Sequence, residues 1–121
     1  MSAHTNIARV LAAQKRLPEA LEHARRAVSL NAADAPARYN LGRLLEVTGA
    51  TNAAIAEYRR AIAIQPDFWP AHLSLGQELG NQGRLDEAIS EFKVAQRLRP
   101  GDANVQRYLD LALEMRSRNR H

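Results

Sequence analysis

Four histidines, one glycine-rich run and a cluster of carboxylates are the residues of this chain whose types could do chemistry. No two histidines stand four residues apart, the spacing that puts a ligand pair on one helix face. His4, His23, His72 and His121 are scattered along the chain and read as solvated surface. The run Gly76-Gln77-Glu78-Leu79-Gly80-Asn81-Gln82-Gly83 has the look of a phosphate-cradling loop, but the Lys-Ser/Thr pair that completes such a loop does not follow. Asp86, Glu87 and Glu91 gather where acids complement the start of a helix, and none is set up as a general acid. Cysteine is absent, which excludes thiolate nucleophiles, thiolate metal sites and disulfides. No catalytic constellation, cofactor site or metal site is expected. What does recur is a set of polar side chains at one interval. Asn6 and Asn40 lie 34 residues apart with Ser74 next in line, and Arg9 and Arg43 share the spacing.

That interval governs the whole chain. Tyr39-Asn40-Leu41-Gly42 returns as Leu73-Ser74-Leu75-Gly76, Gly49 as Gly83, Ala54-Ile55 as Ala88-Ile89, Tyr58 as Phe92, Ala61 as Ala95 and Pro66 as Pro100. One interval earlier stand Asn6-Ile7-Ala8, Ala20-Leu21, Ala24, Ala27 and Ala32. The 121 residues, enough for one domain, divide into repeats 1–34, 35–68 and 69–102 without an insertion. A period of this length marks stacked modules.

Each module reads as two helices. Leu41, Leu44, Leu45 and then Ile55, Tyr58, Ile62 step by three and four, the spacing of an apolar helix face. Gly49 and Gly83 fall between the two runs, where a left-handed residue ends a helix; Lys15 holds that place in the first repeat. Pro66 and Pro100 close the second helices. Pro36 and Pro70 suit a first turn, and Asp34, Asp67 and Asp102 stand where a carboxylate can cap the next helix.

Small residues share fixed positions: Ala8, Gly42 and Gly76; Ala20, Ala54 and Ala88; Ala27, Ala61 and Ala95. Side chains no larger than methyl let helix axes approach closely. Leu11, Leu45 and Leu79, and likewise Leu30, Ile64 and Leu98, are expected to fill the layers beside them. Phe68 and Trp69 read as packing residues. Residues 103–118 then form a lone capping helix with Val105, Leu109, Ala112 and Leu113 inward and Arg107, Asp110, Glu114 and Arg118 outward, running into a basic tail at 116–121. A solenoid needs such a polar-backed terminal element. The N-terminal end shows no equivalent, so either self-association covers it or the chain belongs to a longer array.

The pattern resembles the tetratricopeptide repeat: 34 residues, Leu-Gly in the first helix, Gly at the turn, Ala-Ile opening the second helix, then an aromatic, Ala and Pro. It covers residues 1–102. The first repeat departs from it at Ala8, Lys15, Ala24 and Ala32, and the tryptophan of the first helix is replaced by His4, Arg38 and His72. The resemblance implies an all-α, right-handed α-solenoid, a superhelix of three helix-turn-helix units and a capping helix, seven helices forming one domain over 1–121. It also implies that the first helices line a concave groove for a partner protein or peptide. Helix period then points Asn6, Arg9, Tyr39, Asn40, Arg43, Ser74, Gln77, Arg107 and Tyr108 into that groove, with Leu111 beside them. Amides offer donor and acceptor together, the arginines suit carboxylates and hence a partner of acidic character, and the tyrosines add rigid contact surface. No enzymatic activity is implied for the chain itself.

Narrower family readings fare differently. The clamp by which some co-chaperones of this family hold the acidic C-terminus of heat-shock chaperones needs Lys, Asn, Asn, Lys and Arg where this chain has Thr5, Arg9, Asn40, Pro70 and Ser74, and only Asn40 matches. The asparagine row with Asn-Leu-Gly resembles the substrate-docking repeats of O-GlcNAc transferase-like proteins, which would make the chain a docking arm of a larger enzyme. The net charge of +4 raises RNA as a third partner. Its excess is spread thinly, dense only at Arg116, Arg118 and Arg120, and no aromatic residues interleave a basic stripe, which weighs against nucleic acid. No apolar run approaches the ~18 residues of a membrane span and no secretory leader is evident. With cysteine absent, a cytoplasmic protein is expected.

Overall fold

Helix signals this regular produce helices throughout. The structure, a computed structural model, describes residues 16–119. Six helices run through them: α1 (Leu17–Leu30), α2 (Ala35–Val47), α3 (Thr51–Ile64), α4 (Trp69–Asn81), α5 (Leu85–Leu98) and α6 (Ala103–Asn119). The expectation of seven is thereby corrected to six among the described residues. The remaining one, the first helix of the first repeat with Ala8, Leu11 and Lys15, falls outside them, as does the N-terminal end invoked for self-association. No described helix is long and apolar enough to cross a membrane. The chain forms two compact units, Met1–Pro66 and Asp67–His121, and the division falls within two residues of the junction between the second and third repeats.

In the first unit α2 and α3 form a hairpin across a three-residue turn, and α1 packs against α2. Gly49 turns the chain at φ +87°, and the Ala50 N–H returns to the Leu45 carbonyl at 2.9 Å. Only a residue without Cβ holds that conformation at no steric cost. Asp34 caps α2, its Oδ1 accepting from the Ala37 N–H at 3.0 Å, and Pro36 occupies the first turn. The core is built from small residues (Ala20, Ala24, Ala27, Ala54, Ala61) around Leu41, Leu45, Ile55 and one large ring, Tyr58. That ring lies on Gly42: a methyl group there would sit 2.6 Å from Tyr58 Cε1.

The second unit repeats this construction. Gly83 turns at φ +79°, the Arg84 N–H reaches the Leu79 carbonyl at 2.9 Å, and Phe92 lies on Gly76 at the same 2.6 Å. The α6 helix packs on α5 and also touches α4, burying Val105, Leu109 and Ala112. Asp102 caps it, accepting from the N–H groups of Asn104 and Val105 at 2.9 and 3.2 Å. Arg99 stacks over Trp69, 5.1 Å from the ring centroid, a cation–π contact.

Three expectations need correction. Asp67 does not cap α4; Phe68 is the N-cap residue and makes no side-chain hydrogen bond. In the repeat register Asp34 and Asp102 are equivalent to Phe68, so Asp67 stands one residue early. Leu30, Ile64 and Leu98 are exposed, at 73%, 38% and 37%. Each is the last residue of its helix, with no further turn to carry it against a neighbour. His72 is buried rather than solvated, for a reason given below. The alanine contacts behave as expected. Ala54 is fully buried, and Ala54→Leu should overpack it at a cost of about 1–3 kcal/mol, read as a lower midpoint in urea denaturation.

Candidate functional site

On α2 the polar groups are built upward from the Tyr58–Gly42 contact. The Tyr58 hydroxyl, buried with its ring, donates to Glu46 Oε2 at 2.6 Å. Glu46 and Tyr58 correspond in the next repeat to Gly80 and Phe92, so the carboxylate is present where the ring has a hydroxyl and absent where it has none. Burial, reinforced by the Glu46 carboxylate, pushes the Tyr58 phenol above its ordinary range. The folded state therefore favours the protonated phenol. That contribution is complete below the unfolded value of about 10 and is lost as pH rises beyond it. Tyr58 should resist ionisation in an absorbance titration, read as the difference between wild type and Tyr58→Phe, until the fold itself gives way. Ionisation of Tyr58 at the ordinary phenol value of about 10 in the folded protein would contradict this.

Tyr39 lies 5.7 Å from Tyr58, centroid to centroid and tilted by 41°. Its hydroxyl accepts from Arg43 Nη1 at 3.1 Å, and the guanidinium carbon stands 5.9 Å from the Tyr39 centroid. The Tyr39 hydrogen bond raises the Arg43 pKa further, fixing its positive charge. Arg43 is exposed and Tyr39 half-buried, so the structure brings these two expected site residues together at the surface. Asn40, by contrast, is 8% exposed, and Ser74 on α4 is 6% exposed; a ligand would meet only the edge of that row. Gln77 is half-buried.

On α6 Arg107 is exposed, and Tyr108, 36% exposed, stacks on Phe92 at 5.9 Å and 21°. Asn6 and Arg9 lie outside the described residues.

The sequence reading missed a second polar system, between the paired helices of the second and third repeats. Arg38 Nη1 donates to Glu57 Oε1 at 2.9 Å, and His72 Nδ1 lies 2.7 Å from Glu91 Oε1. Arg38 and His72 are one repeat apart, and so are Glu57 and Glu91. His72 is thus buried because its position faces the second helix, where a carboxylate meets it. The signal was a glutamate recurring at the repeat interval opposite a recurring nitrogen-bearing side chain, Arg38 and then His72. Among the described residues no group of three histidines or carboxylates is placed to hold a metal ion.

Helical pairs joined at Gly49 and Gly83, each with an aromatic ring lying on a first-helix glycine, define a helical-repeat protein. The tetratricopeptide repeat family matches residues 5–67 and 39–103, and the chain belongs to that family. Solved structures agree in fold. MamA matches at a TM-score of 0.87 and 24% identity, over 94% of this chain and 67% of its own. The first tetratricopeptide domain of Spaghetti (RPAP3), bound to the HSP90 peptide SRMEEVD, matches at 0.90 and 13%, over 94% and 90% of the two chains. The Yersinia enterocolitica type III secretion chaperone SycD, in complex with a peptide of the translocator YopD, matches at 0.85 and 18%, over 93% and 92%. No curated protein matches the chain in sequence.

Proposed function

We propose that the chain is a protein-interaction module that receives a segment of a partner protein along the first helices of its repeats, in the concave groove of its family. Asn6, Arg9, Tyr39, Asn40, Arg43, Ser74, Gln77, Arg107 and Tyr108 are the proposed contacts, and binding rather than catalysis is the activity. The observation that carries this reading is the exposed Arg43 guanidinium held by the Tyr39 hydroxyl at 3.1 Å. A cation fixed in place loses little freedom on binding and suits a carboxylate. Two relatives of the same fold were solved with peptides bound, which supports peptide capture over other uses of the repeat. The absence of cysteine suits the cytoplasm, where we place the encounter.

The test is a capture experiment with wild type and Arg43→Glu, read by mass spectrometry. Because Arg43 is exposed, the substitution should leave the helical circular dichroism unchanged while removing specific partners, an affinity loss of tenfold or more for a reversed charge contact. Identical captured proteins from both would count against the surface assigned here.

A further inference from the structure

Three positions of the second repeat are filled together in a way that the other repeats do not share. Arg43, Glu46 and Tyr58 correspond to Gln77, Gly80 and Phe92 in the third repeat, and to Arg9, Ala12 and Ala24 in the first. The phenol and the carboxylate therefore occur as a pair, in the one repeat whose first helix sets an acid three residues after its arginine.

Three residues is within the reach of an ion pair on a helix. This chain uses that reach elsewhere: Glu57 pairs with Arg60, and at one residue more Glu22 pairs with Arg26 and Glu114 with Arg118. Arg43 and Glu46 do not pair. The Arg43 side chain donates to the Tyr39 hydroxyl, and Glu46 Oε2 accepts from the Tyr58 hydroxyl at 2.6 Å. Neither side chain has another hydrogen bond or an ion pair among the described residues. Arg107 and Asp110 show the same relation on α6. They stand three residues apart and unpaired, and the Asp110 carboxylate accepts from Gln106 Nε2 at 2.8 Å. In both places the unpaired arginine accompanies a carboxylate already engaged by a neutral donor.

The Tyr58 hydroxyl is anchored for this task. Its ring belongs to α3, is fully buried and lies on Gly42 of α2, so the oxygen is fixed relative to Glu46. A hydrogen bond to a carboxylate is among the stronger ones, and it brings no charge of its own. Without it the half-buried Glu46 would take a cation within reach, because a carboxylate withdrawn from water needs a partner. The other arginine of α2, Arg38, is held by Glu57. Arg43 is the one left.

We infer that Tyr58 is a positioning residue of the binding surface: its hydroxyl keeps the Glu46 carboxylate from closing on Arg43, and so leaves the guanidinium open to a carboxylate of the partner. The inference rests on the binding-module reading and adds to it a buried residue that does not itself touch the partner.

Tyr58→Phe tests it, because Phe92 fills the equivalent place on Gly76 and the ring alone therefore fits. In nitrogen-15 spectra of the arginine side chains, the Arg43 Nε–H signal, assigned by its loss in Arg43→Glu, should shift in Tyr58→Phe. With Glu46→Gln also made the shift should disappear, since an amide has no charge to attract the guanidinium. The full chain is then titrated by anisotropy with a fluorescein-labelled oligo-aspartate peptide, with oligo-asparagine alongside. Tyr58→Phe should weaken the aspartate peptide about two- to fivefold, the range one exposed ion pair supplies. It should have no effect once Glu46→Gln is made. A hydroxyl that served only the fold would weaken binding equally in both backgrounds, and that result overturns the inference. So does an Arg43 signal unmoved by Tyr58→Phe, or a shift that persists with Glu46→Gln. Binding lost with Arg43→Glu but indifferent to Tyr58→Phe sinks the inference alone. Should wild type and Arg43→Glu bind the aspartate peptide alike, or not at all, the broader reading fails and the inference falls with it.

Discussion

Phe92→Ala is expected to destabilise the protein by about 3–5 kcal/mol, the range for deleting a buried aromatic ring. Phe92 is 3% exposed, lies on Gly76 and stacks on Tyr108, so α4, α5 and α6 all meet around it. A core this rich in alanine has few long side chains able to move into the space. The partner glycine sharpens the test. Within a helix Gly→Ala normally stabilises by about 1 kcal/mol. At Gly76 the added methyl would lie 2.6 Å from a ring with no room to withdraw, so Gly76→Ala should instead destabilise by about 1–3 kcal/mol. In the Phe92→Ala background the obstruction is gone, and the same substitution should become stabilising. Urea denaturation of the two single variants and the double variant gives the coupling directly. Additive effects would show that ring and glycine do not meet as described.

The repeat interval made this contact legible before any coordinates, because glycine and aromatic recur together at 42/58 and 76/92. Helix existence, the turns at Gly49 and Gly83 and the buried alanines followed from the same periodicity. What the interval could not give was depth. Leu30, Ile64 and Leu98 occupy an equivalent apolar position, yet each ends its helix and stands exposed. Asn40 was read as an open amide and proves buried, since helix period fixes a direction but not how far the neighbouring side chains rise around it. An isolated histidine is usually solvated, and it is the place of His72 opposite Glu91, not its residue type, that buries it. The polar cluster on α2 was visible only in part: the spacing puts Tyr39 and Arg43 one turn apart, but the Tyr58–Glu46 hydrogen bond joins two helices and leaves no local trace.

Glu57→Ala is expected to cost about 3 kcal/mol, more than the equivalent change at Glu91. Glu57 is 6% exposed and holds Arg38 at 2.9 Å on one oxygen and Arg60 at 2.5 Å on the other. Removing one partner of a buried ion pair costs roughly 3–5 kcal/mol because it strands the other charge. The value here falls at the low end for two reasons. Arg60 is 60% exposed and loses little, and Arg38 keeps the hydrogen bond from its Nε to the Ala32 carbonyl. An arginine cannot shed its proton, so the Arg38 guanidinium, only 16% exposed, remains charged against the core. The pair in the next repeat differs on both counts. The Glu91 side chain is 23% exposed, and an imidazole left behind can be neutral, so Glu91→Ala should cost less. Replacing both Arg38 and Glu57 by methionine and leucine should recover most of the loss, since an apolar pair of similar volume strands no charge. Urea midpoints for the three variants decide the matter. Equal losses at Glu57 and Glu91, or a double variant as weak as Glu57→Ala, would mean that something other than a stranded arginine sets the cost.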